Sequence, residues 1–442
     1  MTKSEVLQIL HRYVKTGQQI CTDSRQVAPG AVFFALKGDN FNGNHFAEKA
    51  LENGCIAAVV DEPVSRENNR IILVENALET LQQLSLYHRQ QFTIPVLAIT
   101  GSNGKTTTKE LVYSVLGSTF KTLATEGNLN NHIGVPLTLL RLNDTHEMAI
   151  IEMGANHVGE IEQLSGFACP TYGMITNIGK AHLEGFGSVE NILKGKTELY
   201  RHVGSENGLL FVNGDSLQLS EKATGIDHIL YGQSEAFHCS GRIIGMNPFL
   251  TLEFRVNKPL GKTKKGISGQ INSRLIGAYN FENILASLAI GLYFGVSPEQ
   301  AIHAIEAYQP VNNRSQLIEN QRNTIILDAY NANPTSMAAA ISNFAKFGSA
   351  PRAVLLGDML EMGSDSQAEH QQIVELLKER KFEINILVGA EFMKTICPNS
   401  GFETFNNSIE ATAWIKKNPL EGFHVLVKGS RGIRMEKTLE AL

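Results

Sequence analysis

Short apolar runs recur along the chain, separated by stretches whose apolar residues fall at helical spacing. In the first 85 or so residues the runs are 31–35 (AVFFA), 56–60 (IAAVV) and 71–74 (IILV). From Pro95 the order strand, helix, strand repeats through 95–100 (PVLAIT), 148–152 (MAIIE) and 173–177 (GMITN). After Pro310 a second series runs through 324–327, 353–356, 384–388 and 424–427. Runs this short are buried strands, and their alternation with helices predicts parallel sheets covered by helices. The expected fold class is therefore α/β, with the last series forming a doubly wound unit. Between the series, 205–275 is irregular and reads as β-rich decoration. Its cluster 261–266 (GKTKKG) reads as a solvated loop. The first fifteen residues carry an amphipathic helix pattern without the apolar core of a signal peptide.

One junction carries chemistry. Residues 99–111 read ITGSNGKTTTKEL. The phosphate-loop template G-x-x-x-x-G-K-[ST] would put its first glycine at position 99, which is Ile99. The nearest upstream glycine is Gly101, giving a shorter G-x-x-G-K-T. A buried strand precedes it and a helical pattern follows, the geometry that aims backbone N–H groups and a helix dipole at phosphate. On this reading Gly101, Ser102, Asn103, Gly104, Lys105, Thr106 and Thr107 surround a nucleotide's phosphates. Lys105 reaches the terminal ones and the Thr106 hydroxyl sits on Mg²⁺. The alternative is an ordinary strand-to-helix turn with a solvated lysine.

Three polar residues lie at or beyond the following strand ends. Glu152 closes the strand 148–152, His182 follows the strand near 173–176, and Lys196 lies in a predicted helix over 190–200. Carboxyl ends of parallel strands are where open α/β sheets bind ligands. A carboxylate and an imidazole there could hold the Mg²⁺ that ATP chemistry uses. Singly, each also reads as a capping acid, a satisfied polar residue and a surface charge.

The whole-chain properties narrow the class. At 442 residues the chain has room for about three domains of ~150 residues each. A hydrophobic content of 43% supplies ample core, and a net charge of −5 gives no reason to expect nucleic acid or an anionic membrane as partner. No apolar run approaches the ~18 residues of a membrane helix. Cys21, Cys55, Cys169, Cys239 and Cys397 are scattered without C-x-x-C spacing, which argues against zinc and against a disulfide framework. A cytoplasmic location is expected.

With these residues the chain resembles the Mur ligases, whose phosphate loop is naturally short, as in 100–107 (TGSNGKTT). The resemblance spans three domains, expected at 1–87, 88–309 and 310–442. It rests on 22–30 (TDSRQVAPG) and 33–38 (FFALKG), on 127–136 (GNLNNHIGVP) and 152–157 (EMGANH), and on 328–334 (DAYNANP), 356–361 (LGDMLE) and 427–431 (VKGSR). The last three are most similar to the members that add D-alanyl-D-alanine to a UDP-linked muramoyl tripeptide. At 328–334 a folate-ligating relative carries Gly-Ala-His-Asn instead, and the diamino-acid ligase Tyr-Ala-His. One departure is 278–280 (AYN), where many relatives have His-Asn.

The resemblance implies a UDP-binding first domain, a central ATP-binding domain with a phosphate-loop sheet and a Rossmann-like last domain, acting as a monomer on small-molecule substrates. It implies Lys105, Lys196 and His182 as catalytic residues. Asn280 is implied as the adenine contact, Asp328 for the ribose and Arg314 for phosphate. Ser24 and Arg25 are implied near the uracil or diphosphate, with Asn131, Asn156, Tyr330 and Asn331 also contacting substrate. Thr106, Glu152, His182 and Lys196 are the implied metal ligands, Lys196 after carbamylation by CO₂. An unmodified Lys196 pairing with substrate phosphate stays open, as does a nucleotide-dependent switch without ligase chemistry. The third residue of the tripeptide is not legible.

Overall fold

The protein is described from a computed structural model that covers residues 2–63, 68–311, 313–396 and 401–442; Asn312 and Cys397 lie outside the described residues. Three sheets organise it. The first, ordered 20–21, 32–34, 57–60 and 71–73, is parallel throughout and flanked by the helices Lys3–Lys15 and Ala77–Arg89. The first helix starts with a capping box, Thr2 accepting from the Glu5 N–H while Glu5 accepts from the Thr2 N–H. The helix Ala77–Arg89 runs across positions 87 and 88. At its end Arg89 donates to the carbonyls of Ala168 and Cys169, tying the first unit to the second.

The second sheet has nine strands. At its heart Val96–Thr100 lies between Tyr172–Ile175 and Met148–Glu152, all parallel. All five residues of Val96–Thr100 are buried, as are all five of Met148–Glu152. Continuous burial follows from helices covering both faces. The strand ends bring three loops to one edge: the one after Thr100, the one after Glu152 and the one after Ile175.

The stretch 205–275 is β-rich, but it is no decoration. Leu209–Asn213 and His228–Gly232 extend the central sheet in parallel, and Cys239–Met246, Leu250–Val256 and Ser268–Asn272 complete it as an antiparallel edge. The polar positions that made it look irregular belong to antiparallel strands with one face in water, such as Leu250–Val256, whose burial alternates. The lysines Lys262, Lys264 and Lys265 are exposed on a turn.

The third sheet runs 316–319, 324–328, 424–428, 352–357, 384–388 and 403–405, antiparallel only at its first edge. Its central strands Thr324–Asp328, His424–Lys428 and Arg352–Gly357 point their carboxyl ends at the phosphate-loop edge of the second sheet, where both border one cleft. Cys21, Cys55, Cys169 and Cys239 are free thiols. Among the described residues no helix is long and apolar enough to cross a membrane.

Candidate active site

The cleft holds about 750 Å³. Its floor is the loop 101–104, and two glycines show why the loop has this sequence. Gly101 has φ 142°, and a Cβ there would sit 2.0 Å from Thr176 Oγ1. Gly104 has φ 78°, and a Cβ there would sit 2.8 Å from Asn283 Oδ1. Only glycine fits both the backbone and the space. The loop is braced from the neighbouring strand end: the Thr176 hydroxyl donates to the Asn103 carbonyl at 2.6 Å, and the Asn103 N–H donates to Asn177 Oδ1 at 3.0 Å. Ser102 Oγ donates to the Gly179 carbonyl at 3.0 Å.

The helix Lys105–Gly117 begins at the loop, so Lys105, Thr106 and Thr107 occupy its first turn at the cleft. Lys105 Nζ folds back to donate to the Gly101 carbonyl at 2.7 Å and the Ser102 carbonyl at 3.2 Å. Burial lowers its pKa; Glu152 opposes that shift and Arg314 adds to it. Those neighbours place a carboxylate and a guanidinium beside the loop's lysine.

Glu152 is buried, with Oε1 accepting from Asn130 Nδ2 at 2.8 Å. Its Oε2 is buried without a hydrogen-bond partner. A buried, unpartnered carboxylate oxygen is costly unless a cation or donor arrives. His182 has φ 53°, and its Nδ1 is paired with Glu361 Oε2 at 2.5 Å. Its neighbour pulls the Glu361 carboxyl below the usual range. Among the described residues no three His, Cys, Asp or Glu side chains form a ready-made metal cage. The set at hand, one free carboxylate oxygen, an imidazole and a hydroxyl, fits Mg²⁺, which is held by one or two carboxylates with water and phosphates.

Lys196 does not line the cleft surface. It ends the helix Val189–Lys196, and the predicted single helix over 190–200 is two, broken where the Thr197 hydroxyl donates back to the Leu193 carbonyl at 2.8 Å. Lys196 is buried, with Nζ 3.3 Å from the Ala155 carbonyl and 5.5 Å from the Phe186 ring centre. The nearby carboxylates are committed elsewhere: Glu198 accepts from the N–H groups of Gly159 and Glu162, and Glu160 from those of Asn156 and His157. Burial, then the positive charge of Lys105, holds the Lys196 pKa well below that of an ordinary lysine, against the pull of Glu160 and Glu198.

The opposite wall comes from the third sheet. Asp328 accepts from the Ser315 N–H at 3.0 Å and from Lys428 Nζ at 2.6 Å. Arg314 stacks 3.7 Å from the Tyr330 ring centre, with Nε buried and unpartnered. Asn331 lines the cleft, as does Asn280, whose Nδ2 donates to the Ile276 carbonyl at 2.9 Å. Asn131 and Asn156 line the far end, where Asn131 Oδ1 accepts from the Gly134 N–H at 2.9 Å. Ser24 and Arg25 are not brought to this cleft. Ser24 is buried in the first unit, and Arg25 is exposed and paired with Asp23 at 2.8 Å.

Sequence reasoning over single motifs missed Asn177, Asn333, Glu361, Lys428 and Arg431. All but Asn177 lie in the three C-terminal stretches that carried the family resemblance. Only the fold shows that these face the phosphate loop.

Three family descriptions match in order: "Mur ligase family, catalytic domain" over 18–89, "Mur ligase middle domain" over 99–291 and "Mur ligase, glutamate ligase domain" over 313–431. The UDP-N-acetylmuramoyl-tripeptide--D-alanyl-D-alanine ligase of Bacillus subtilis is 33% identical over 437 residues, covering 96% of this chain and 92% of that protein. The chain belongs to the Mur ligase family. Solved Mur ligase structures agree in fold along nearly the whole length. MurF from Acinetobacter baumannii aligns with TM-score 0.85 at 32% identity, covering 96% of this chain and 92% of its own. MurF from Thermotoga maritima, solved in complex with ADP, aligns with TM-score 0.84 at 26% identity over 97% of each chain.

Proposed function

We propose that the protein is an ATP-dependent ligase that joins D-alanyl-D-alanine to UDP-N-acetylmuramoyl-tripeptide, a step of cytoplasmic peptidoglycan precursor synthesis. The observation that carries this is the cleft. It sets a braced phosphate loop, with Lys105 and Thr106, opposite a second wall bearing Arg314, Asp328, Tyr330 and Asn331. The full-length likeness to ligases of that name supports the substrates.

A carboxylate is a poor electrophile until one oxygen becomes a good leaving group. ATP supplies the phosphoryl group that makes it one, and the dipeptide's amine then displaces phosphate from the acyl carbon. Little covalent chemistry remains for the protein, so its residues act by positioning and by neutralising charge. Lys105 leaves its loop carbonyls to meet the terminal phosphates. Arg314, held flat on Tyr330, offers its unpartnered Nε to the same charge, and Asp328 with Asn280 borders the nucleoside. Bound Mg²⁺ would draw charge off the transferred phosphoryl group, with Thr106, Glu152 and His182 as its protein ligands. Lys196 joins that set as a carbamate. A neutral, buried amine is the form that reacts with CO₂, and the environment of Lys196 favours that form. Ser24 and Arg25, with the rest of the first unit, hold the UDP end of the long substrate away from the reacting centre.

The test is release of ADP by the pure protein supplied with ATP, Mg²⁺, UDP-muramoyl tripeptide and dipeptide. Release is expected only when both the tripeptide and D-alanyl-D-alanine are present. Nucleotide hydrolysis indifferent to both would assign the cleft to a switch instead.

A further inference from the structure

We infer that Arg431 binds the carboxylate of the incoming dipeptide, with Leu360 packing against its methyl groups; this rests on the ligase reading above. Arg431 follows the strand His424–Lys428 at the carboxyl edge of the third sheet and lines the cleft. The residue before it is fixed in place. The adjacent Ser430 accepts from the Leu360 N–H at 2.9 Å, and its hydroxyl donates to the Ala332 carbonyl at 3.3 Å. The side chain is free by contrast. Among the described residues it has no ion pair or side-chain hydrogen bond, and its guanidinium carbon lies 5.6 Å from the Tyr330 ring centre.

Lys428 holds Asp328 and Lys105 holds the phosphate loop, while Arg314, stacked closely on Tyr330, is the guanidinium assigned above to the phosphates. Arg431 therefore adds a second guanidinium to a wall that needs none for its own stability.

Leu360 supplies the second half of the match. It is an apolar side chain left 42% exposed in a polar cleft, and a Cβ on Gly432 would sit 2.8 Å from its Cδ1. An unpaired guanidinium beside an exposed leucine is complementary to a small ligand with a carboxylate and short apolar side chains. Phosphate would satisfy the first feature and waste the second. The orientation is consistent as well. The next residue, Glu361, contacts His182 on the phosphate-loop side. The dipeptide's amine thus faces the reacting centre while its carboxylate stays at Arg431.

The experiment compares D-alanyl-D-alanine with D-alanyl-D-alaninamide, in which the carboxylate is neutral, by kcat/KM for ADP release at saturating ATP and UDP-tripeptide. The wild type is expected to favour the acid by about 30- to 100-fold, the range of a charge-assisted bidentate pair. Arg431→Gln should lower kcat/KM for the acid by a similar factor and treat acid and amide within about 3-fold of each other. Its KM for ATP should stay within about 2-fold of wild type, which also certifies the fold of a variant at an exposed position. Retention of the acid preference by Arg431→Gln overturns the assignment. So does a parallel rise in the KM for ATP, which would give Arg431 to a phosphate. A wild type that releases no ADP in response to either dipeptide overturns the ligase reading together with it.

Discussion

Asn333 Nδ2 donates to Asn103 Oδ1 at 2.7 Å, so a side chain of the third sheet's unit touches the phosphate loop itself. The contact has company: the Lys180 N–H donates to Thr335 Oγ1 at 3.1 Å, and Lys180 Nζ pairs with the buried Glu369 at 2.5 Å. The residues that hold the phosphate loop and those that start the helix Pro334–Phe344 are thus one network. Nucleotide binding at the loop and the placement of the opposite wall are coupled through it.

Asn333 does two things, and they can be separated. Its Oδ1 caps the helix by accepting from the Ser336 N–H, while its Nδ2 makes the contact to Asn103. Asn333→Asp keeps an acceptor for the cap and replaces the donor with an anion beside the loop. Stability should change little, since aspartate caps as well as asparagine. The KM for ATP should rise about 10-fold or more, because a carboxylate now faces the incoming phosphates at short range. Paired thermal melts and ATP titrations of the activity check both halves.

Lys105→Ala removes the one cation that the loop presents directly. Its hydrogen bonds go only to two loop carbonyls, so the fold does not depend on it. Loss of a positioned charge at a transferring phosphoryl group costs about 100- to 1000-fold in kcat. Circular dichroism should be unchanged. A variant that kept most of its ligase activity would remove the phosphate-loop assignment.

Legibility in the sequence followed the range of each interaction. The short fully buried strands and the glycine loop were readable because both are local: burial on two faces leaves an unbroken apolar run, and a tight loop demands glycine. Arg314 entered only through the family resemblance, and its stacking on Tyr330 was not readable. Stretch 205–275 was misread as decoration because strand pairing is non-local: nothing within Leu209–Asn213 says that it pairs with Tyr172–Ile175. Glu361 and His182 meet across two units for the same reason. Their separation in sequence carries no signal that one will face the other.

A buried histidine pair predicts how stability responds to acid. His11 Nε2 and His88 Nδ1 are 3.1 Å apart, and His88 Nε2 donates to the Leu142 carbonyl at 2.9 Å, joining the first unit to the second. Burial lowers both pKa values. Lys15 adds to the shift at each ring, and at His88 the Leu142 carbonyl and Asp144 oppose it. Tyr87 and Phe92 complete the surroundings with uncharged rings. A histidine whose folded pKa lies below its unfolded value of about 6.5 contributes fully above pH ~6.5. Below that the unfolded chain takes up the proton first, and the contribution is lost as pH falls through the folded pKa. Urea unfolding at pH 7.5 and 5.5 should therefore show a larger loss for wild type than for His88→Gln. His11 touches the substituted ring and shares in its response, while titrating groups away from the pair are common to both proteins and cancel in the difference.

Lys196 gives the sharpest choice between two chemistries. A free ammonium would be repelled by a neighbouring Mg²⁺, and it is already disfavoured by burial and by Lys105. Among the described residues its Nζ has one weak acceptor, the Ala155 carbonyl, and no carboxylate partner. Attack of the neutral Nζ on CO₂, with loss of one proton, converts the site from a neutral amine to an anion able to complete a ligand set with Glu152 and His182. Lys196→Ala should then lose about 100-fold in kcat, within the range found when metal-supporting residues are removed. Because the cavity left behind lacks an anion, acetate or formate should restore part of the rate while methylamine does not. An ammonium paired with substrate phosphate predicts the reverse. Rescue by methylamine and not by acetate would therefore return Lys196 to the role of a plain cation.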